Sequence, residues 1–288
     1  MAFWMVLVLV VASRLSWTPA IAQCSQISFR KNPVYALTKR CTRSTATPIS
    51  RRNSEDLKSC REFAVSKKAL AFNFRPKKYS SNNITIDDNC IALECPVELH
   101  PQSTSLVKDS RFEYYSAYGG NVAYGHGIKA SCLPKVGVFR LADIPSNYST
   151  ARKECAAWGG KLAHVASAVR TDLLASLMTG NINAVFVGLS SEGKERLWKN
   201  EFDELLDCFD FRGWAQREPH SRRGCVALGK DRTWRVVSCY ASLPFLCEIL
   251  PSASPQESSP SMGCGSHSGT GRMRKRVGQS ARNDATHK

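Results

Sequence analysis

No apolar run in these 288 residues reaches the roughly twenty needed to cross a bilayer; the one near the start, Phe3 to Ala12, stops at ten. Zinc-type cysteine spacing is missing too. Cys90 and Cys95 stand too far apart for the usual gap of two to four residues, and no Cys/His pair of ligand spacing follows them. The six histidines are scattered, no Ser/His/Asp order carries a nucleophile turn, and no paired carboxylates mark a cleft. Acid is scarce, with 24 Asp+Glu against 40 Lys+Arg. These absences weigh against a membrane span, a bound metal and a catalytic centre, and leave the excess of basic charge as the first clue.

What is present begins with a secretory signal. Residues 1–22 carry one positive charge, Arg14, then end on Ala20 and Ala22 in an A-x-A arrangement, so cleavage is expected after Ala22. All 12 cysteines follow it, and an even set in a secreted chain reads as disulfides. The expected location is extracellular. Basic charge is uneven: residues 23–132 hold 17 Lys+Arg against 9 Asp+Glu, residues 133–250 hold 16 against 13, and residues 251–288 hold 6 against 2. Outside the cell, the expected counter-charges for such a surplus are sulfated or carboxylated glycans, anionic lipid or microbial envelope polymers rather than nucleic acid.

Four segments follow from composition and pattern. After the signal, residues 23–132 form a cysteine-rich unit. The run 53–66 predicts a helix capped by Asn53 or Ser54, with Leu57, Cys60 and Phe63 on one face. Alternating Leu70, Phe72 and Phe74 predict a strand over 69–74, and Phe112, Tyr114 and Tyr118 a half-buried one; Tyr115 and Tyr124 complete that aromatic cluster. Cys60 should reach Cys90 or Cys95. Residues 133–250 form the second unit, with a strand over 136–141, helices over 149–158 and 168–178, and a wholly apolar strand over 184–189. The second helix is expected to bury Val169, Leu173, Leu174 and Leu177. Residues 251–288 are rich in Ser, Gly and Pro, carry a basic knot at Arg272–Arg276, and read as a disordered tail. Asn83 and Asn147 open glycosylation sequons.

The second unit carries a distinctive run: Cys155, Gly159-Gly160, Val187-Gly188-Leu189, Trp198, Trp214, Glu218-Pro219, Cys225, Trp234, Cys239 and Cys247-Glu248. In that order it resembles a C-type lectin-like domain, which implies an α+β fold of two helices, antiparallel sheets and a long loop. The resemblance also implies disulfides Cys155–Cys247 and Cys225–Cys239. It leaves Cys132, Cys208 and Cys264 unplaced, so that an odd thiol would be free to crosslink two chains. The first unit, with one cysteine-bearing helix stapled to strands, more weakly resembles a PAN or apple-type α+β module. Ala64 stands near the place of that module's second helical cysteine.

Sugar-binding members of the lectin-like family hold a calcium ion with a Glu-Pro-Asn or Gln-Pro-Asp triplet, an acid before the third invariant cysteine, and an Asn-Asp pair after a tryptophan. Here the triplet reads Glu218-Pro219-His220, the residues before Cys225 are Arg222, Arg223 and Gly224, and Trp234 is followed by Arg235 and Val236. Cations at an ion site repel calcium, so no metal or other cofactor is expected. Loop acids between Glu201 and Asp210 precede loop bases between Arg212 and Arg235. They either make a dipolar binding face or pair with one another across the loop. On the first alternative the ligand-binding residues are Arg217, Glu218, His220, Arg222, Arg223 and Arg235, gripping an anionic polysaccharide, another glycan or an extracellular protein. The competing function is a structural or matrix protein in which the same fold is a disulfide-stapled scaffold.

Overall fold

The computed structural model describes Cys24 and residues 32–76, 88–97, 106–118, 130–165, 167–193 and 196–251. The expected signal, Asn83, Tyr124, Cys264 and the tail after Pro251 lie outside the described residues. No helix among the described residues is long and apolar enough to cross a membrane.

The first unit is a five-stranded sheet in the order β1-β5-β3-β4-β2, all antiparallel. Its strands are β1 (Ala36–Ser44), β2 (Pro48–Arg52), β3 (Ala71–Phe74), β4 (Cys90–Leu93) and β5 (Leu106–Ser116). Helix α1 (Leu57–Ser66) starts later than the sequence suggests. Asn89 grips Ser54 through both its backbone N–H and its carbonyl, which holds that residue extended and buried. The cap falls instead to Asp56, whose carboxylate accepts the Ser59 N–H while the Ser59 hydroxyl accepts the Asp56 N–H. Cys60 of α1 is bonded to Cys90 of β4.

Strand β5 is buried on both faces rather than one. Tyr115 stacks on Phe72 at 4.8 Å on the α1 side, whereas Phe112 and Tyr114 pack with Ile91, Leu93 and Val97 on the other. The latter face is crossed by the short link from β1 to β2. Asn73 pins that link by accepting the Ser44 N–H and donating to the Ser44 carbonyl, each at 2.9 Å.

The second sheet runs β12-β11-β9-β13-β7-β6, with β10 on β9 and β8 on β13. Its strands are β6 (Ser131–Leu133), β7 (Gly137–Ser146), β8 (Gly160–Leu162), β9 (Ala184–Ser190), β10 (Lys199–Asn200), β11 (Cys225–Gly229), β12 (Trp234–Val237) and β13 (Leu243–Ile249). The sheet therefore begins before residue 133. Helix α2 (Tyr148–Ala157) is capped by Asn147, whose Oδ1 accepts the Thr150 N–H. That cap does not use the amide nitrogen to which a glycan attaches. Cys155 of α2 is bonded to Cys247 of β13.

Helix α3 (Ala168–Ser176) keeps Leu173 and Leu174 against the core, with Leu177 just after it, as their spacing suggests, but not Val169. Val169 is 67% exposed, while Arg170, Thr171, Leu174 and Ala175 are buried. The inward arginine ion-pairs with Glu248 of β13 and donates to the His164 carbonyl. A charge with such partners can occupy a core position that a count of apolar residues assigns to the outside. Burial, then the nearby Arg170 charge, pushes the His164 imidazole down to about 3.

The two units share a core. Val138 and Ile249 of the second sheet join Tyr35, Phe72, Tyr115 and Tyr118 of the first, and Cys95 is bonded to Cys132 of β6. A second crosslink, Cys24–Cys208, ties the start of the chain to the long loop. Cys132 and Cys208 are thus not available to crosslink two chains, and none of the described cysteines is free.

Adjacent glycines test this packing. A Cβ on Gly160 would lie 2.2 Å from the Glu248 carbonyl oxygen on the neighbouring strand, whereas Gly159 has a left-handed φ of +73° with nothing within 4 Å. Gly160→Ala should cost about 3 kcal/mol through overpacking. Gly159→Ala should cost about 1 kcal/mol from backbone conformation alone. Thermal or denaturant unfolding of the two variants should rank them in that order.

Candidate functional site

Strands β9, β11 and β12 form the platform, and the loop from Ser191 to Gly224 stands on it. Four aromatic side chains hold the loop down. Trp198 meets Trp214 at 5.1 Å, Trp214 meets Trp234 of β12 at 5.5 Å, and Phe211 meets Trp234 at 5.3 Å. The Trp234 N–H also donates to the Gly213 carbonyl at 2.7 Å, and the Ala215 N–H donates to the Trp234 carbonyl at 2.9 Å. Cys225–Cys239 crosslinks the platform, and Cys24–Cys208 staples the loop from outside.

At the end of the loop, Glu218 precedes Pro219 across a cis peptide bond. Its carboxylate accepts the His220 N–H at 3.0 Å, lies 2.9 Å from His220 Nδ1, and faces the Val236 N–H of β12. Burial alone would raise the Glu218 carboxyl, but these hydrogen bonds outweigh it and hold the group below its ordinary range. Glu218 is therefore a clamp between loop and sheet. Arg235 is also engaged: both its terminal nitrogens meet the Asp231 carboxylate, which holds that acid low.

Both alternatives for the loop charges find partial expression. Arg212 pairs with Asp207 at 3.1 Å, Lys199 with Asp203 at 3.1 Å, and Arg235 with Asp231. Glu201 turns toward α2, where it meets Arg152 at 3.0 Å and the Tyr148 hydroxyl at 3.1 Å. By contrast Arg217, Arg222 and Arg223 are exposed and form no ion pair among the described residues. Their backbone is fixed: the Ser191 hydroxyl donates to the Arg222 carbonyl at 2.8 Å and the Ser191 N–H to the Gly224 carbonyl at 2.9 Å. The six candidate residues thus divide into three open guanidinium groups and three side chains that frame them, Glu218, His220 and Arg235.

Beside them lies a cavity of about 420 Å³ lined by Arg152, Glu192, Lys199, Glu201 and Asp203. Reading along the chain missed it, because Arg152 comes from α2, some fifty positions before its partner Glu201. No local pattern announces that pair.

The donor set at the triplet does not fit calcium. The one carboxylate, Glu218, is spent on backbone N–H groups and an imidazole, and the flanking side chains are two guanidinium groups and the buried isopropyl of Val236. Calcium needs six to eight oxygen ligands. One cluster among the described residues has metal-ligand spacing, Glu192 with Cys225 and Cys239. Those two sulfurs are bonded to each other at 2.05 Å, so neither is a thiolate.

The family model for the lectin C-type domain matches residues 144–249. A C-type mannose receptor 2 from Mus musculus is 30% identical over 105 residues, which make up 36% of this chain and 7% of that receptor. One chain of a snaclec coagulation factor IX-binding protein from Protobothrops flavoviridis is 31% identical over 97 residues, 31% of this chain and 72% of that one. Among solved structures, ovocleidin-17 of the Gallus gallus eggshell is 25% identical, with 44% of this chain and 99% of that one covered and a TM-score of 0.37. Human lithostathine is 22% identical, covers 39% and 91%, and has a TM-score of 0.36.

The clamp is open to test. Glu218→Gln should keep the fold but loosen the loop, at a cost of about 1–3 kcal/mol for weakened acceptor bonds. Because the folded-state pKa lies below the ordinary 4.5, the contribution of Glu218 is present above that value and lost as pH falls through the folded one. Unfolding measured from pH 7 down to 3 should show wild type and Glu218→Gln converging at the acid end.

Proposed function

Because the chain belongs to the C-type lectin domain family, we propose that it is a secreted, non-catalytic recognition protein that binds an anionic glycan or an acidic extracellular protein without calcium. The observation that carries this reading is the set of three exposed guanidinium groups, Arg217, Arg222 and Arg223, on a loop where Glu201, Asp203 and Asp207 are paired with Arg152, Lys199 and Arg212. Guanidinium forks match carboxylate, sulfate and phosphate oxygens, and the Ser191 bonds to the Arg222 and Gly224 carbonyls hold the loop backbone in place before binding. The disulfides and the family of this chain support an extracellular, non-enzymatic role. On this reading the first unit is a PAN/apple-like module, to which one helix crosslinked to an antiparallel sheet lends support. A scaffold role is the second reading, favoured by the crosslinks Cys95–Cys132 and Cys24–Cys208 that bind the two units together.

Two experiments test the proposal. Thermal melts in calcium and in chelator should coincide, since only a ligand that binds the native state raises its stability; a calcium-dependent rise of several degrees would contradict the assignment. Retention on a heparin column should weaken with salt, because exposed charges are screened within about 8–10 Å at physiological ionic strength. Arg222→Ala with Arg223→Ala should lower the eluting salt. Truncation after Leu250 measures the separate share of the Arg272–Arg276 knot, and loss of all retention on truncation alone would leave the loop without this role.

A further inference from the structure

The first sheet carries a second basic site, far from the long loop in sequence and built from different elements. On the face opposite α1, a cavity of about 290 Å³ is lined by Arg43 of β1, Arg51 of β2, Arg75 just after β3, Asp88 before β4, and Arg111 and Phe112 of β5. Three of the guanidinium carbons sit over a single ring. Arg43, Arg75 and Arg111 lie 5.7, 5.6 and 5.9 Å from the centroid of Phe112, which is itself buried. The ring's negative face attracts each cation, and the ring itself lines the cavity.

The backbone is shaped to make this possible. Arg40 pairs with Glu113 and Thr42 with Lys108, so Cys41 alone stands opposite the four residues Asp109 to Phe112. That bulge breaks the strict alternation of β5 and lets the consecutive residues Arg111 and Phe112 line one cavity. Cys41 takes a positive φ of 54° at the same point.

Asp109 takes Arg111 in a fork, with Nε and Nη2 each 3.0 Å from a carboxylate oxygen, and forms an ion pair with Arg43 Nε at 3.8 Å. Asp88 lines the wall. Among the described residues, four guanidinium groups thus face two carboxylates. Asp109 lies beyond hydrogen-bond distance of Arg43 Nε, which has no hydrogen-bond partner among the described residues and is open to an entering acceptor.

We propose that this cavity binds a tetrahedral oxyanion ester, a sulfate or phosphate group carried on a glycan chain. Guanidinium groups that converge from four separate segments suit an anion whose three terminal oxygens point in different directions, whereas a carboxylate offers two oxygens in one plane. The Phe112 ring supplies an apolar surface beneath the cations. The site stands apart from the loop arginines, so the loop can fail as a binding site without affecting it.

The experiment maps amide chemical shifts of the full chain during titration with three glycans: a heparin-derived hexasaccharide, a mannose 6-phosphate oligosaccharide, and a hyaluronan hexasaccharide that bears carboxylates only. The sulfated or the phosphorylated glycan should shift amides at Arg43, Arg51, Arg75 and Phe112, and the stronger of the two identifies the source of the oxyanion. Arg51→Gln with Arg75→Gln should weaken binding at those amides at least about tenfold, as expected for loss of two charge-assisted contacts. Arg51→Lys with Arg75→Lys should recover part of it, since charge returns without the fork. Melting of both variants should match wild type, because Arg51 is exposed on an edge strand and Arg75 lies outside the strands. Arg222→Gln with Arg223→Gln should leave these shifts unchanged. Silence of these amides with both oxyanion glycans, an equal response to hyaluronan, or loss of the shifts in the loop variant would each overturn the proposal.

Discussion

Strand β13 is the constraint on which the rest of the molecule depends. It pairs with β7 on one side and with β9 and β8 on the other, and Phe245, Leu246, Cys247 and Ile249 are all 3% exposed or less. Cys247 holds α2 through a bond that closes 92 residues, a length worth about 4–5 kcal/mol in the chain-entropy account. Glu248 neutralises the buried Arg170 of α3, Phe245 stacks against Trp158, and Ile249 reaches into the core shared with the first unit. Helices, second sheet and the junction between units are therefore positioned by one seven-residue segment.

From that strand the structure extends in two directions, and each leads to a basic surface. Through β9, β11 and β12 it supports the long loop, where tryptophan packing and the contacts of Glu218 hold the loop and Arg217, Arg222 and Arg223 point outward. Through β7 and β6 it joins, by Cys132–Cys95 and the shared core, a sheet whose far face gathers four arginines over Phe112. At the loop Arg217, Arg222 and Arg223 form no ion pair among the described residues, and in the cavity four arginines meet Asp88 and Asp109. The overall excess of Lys and Arg is thereby gathered into local basic surfaces, whose proposed attraction for anions would fall with salt.

Much of the second unit was legible because its marks are single residues with steep physical requirements. Gly160 must lack a side chain, and the apolar strand over 184–189 is buried on both faces, as its composition implies. Less legible were features in which one residue's role is set by a distant partner. Val169 and Arg170 exchange places because Glu248 waits in the core, and Asn53 and Ser54 yield the α1 cap to Asp56 because Asn89 holds Ser54. Strands β1 and β2 escaped a pattern search: their residues are half-buried or exposed edge positions rather than alternating apolar ones. The six loop residues could be named from the sequence, but only geometry separates the spent Glu218 and Arg235 from the open Arg217, Arg222 and Arg223. The arginine cavity of the first sheet had no signal along the chain beyond net charge, since its four cations come from four segments and a bulge brings them together.

The account stands or falls on whether recognition runs through oxyanion–guanidinium contacts and not through a metal ion. A glycan array probed with the full chain, in calcium and again in chelator, measures this directly. Sulfated, phosphorylated or carboxylated glycans should bind with the same ranking in both conditions and neutral glycans should stay dark. Binding to neutral mannose-, galactose- or fucose-type sugars that disappears in chelator would contradict the account.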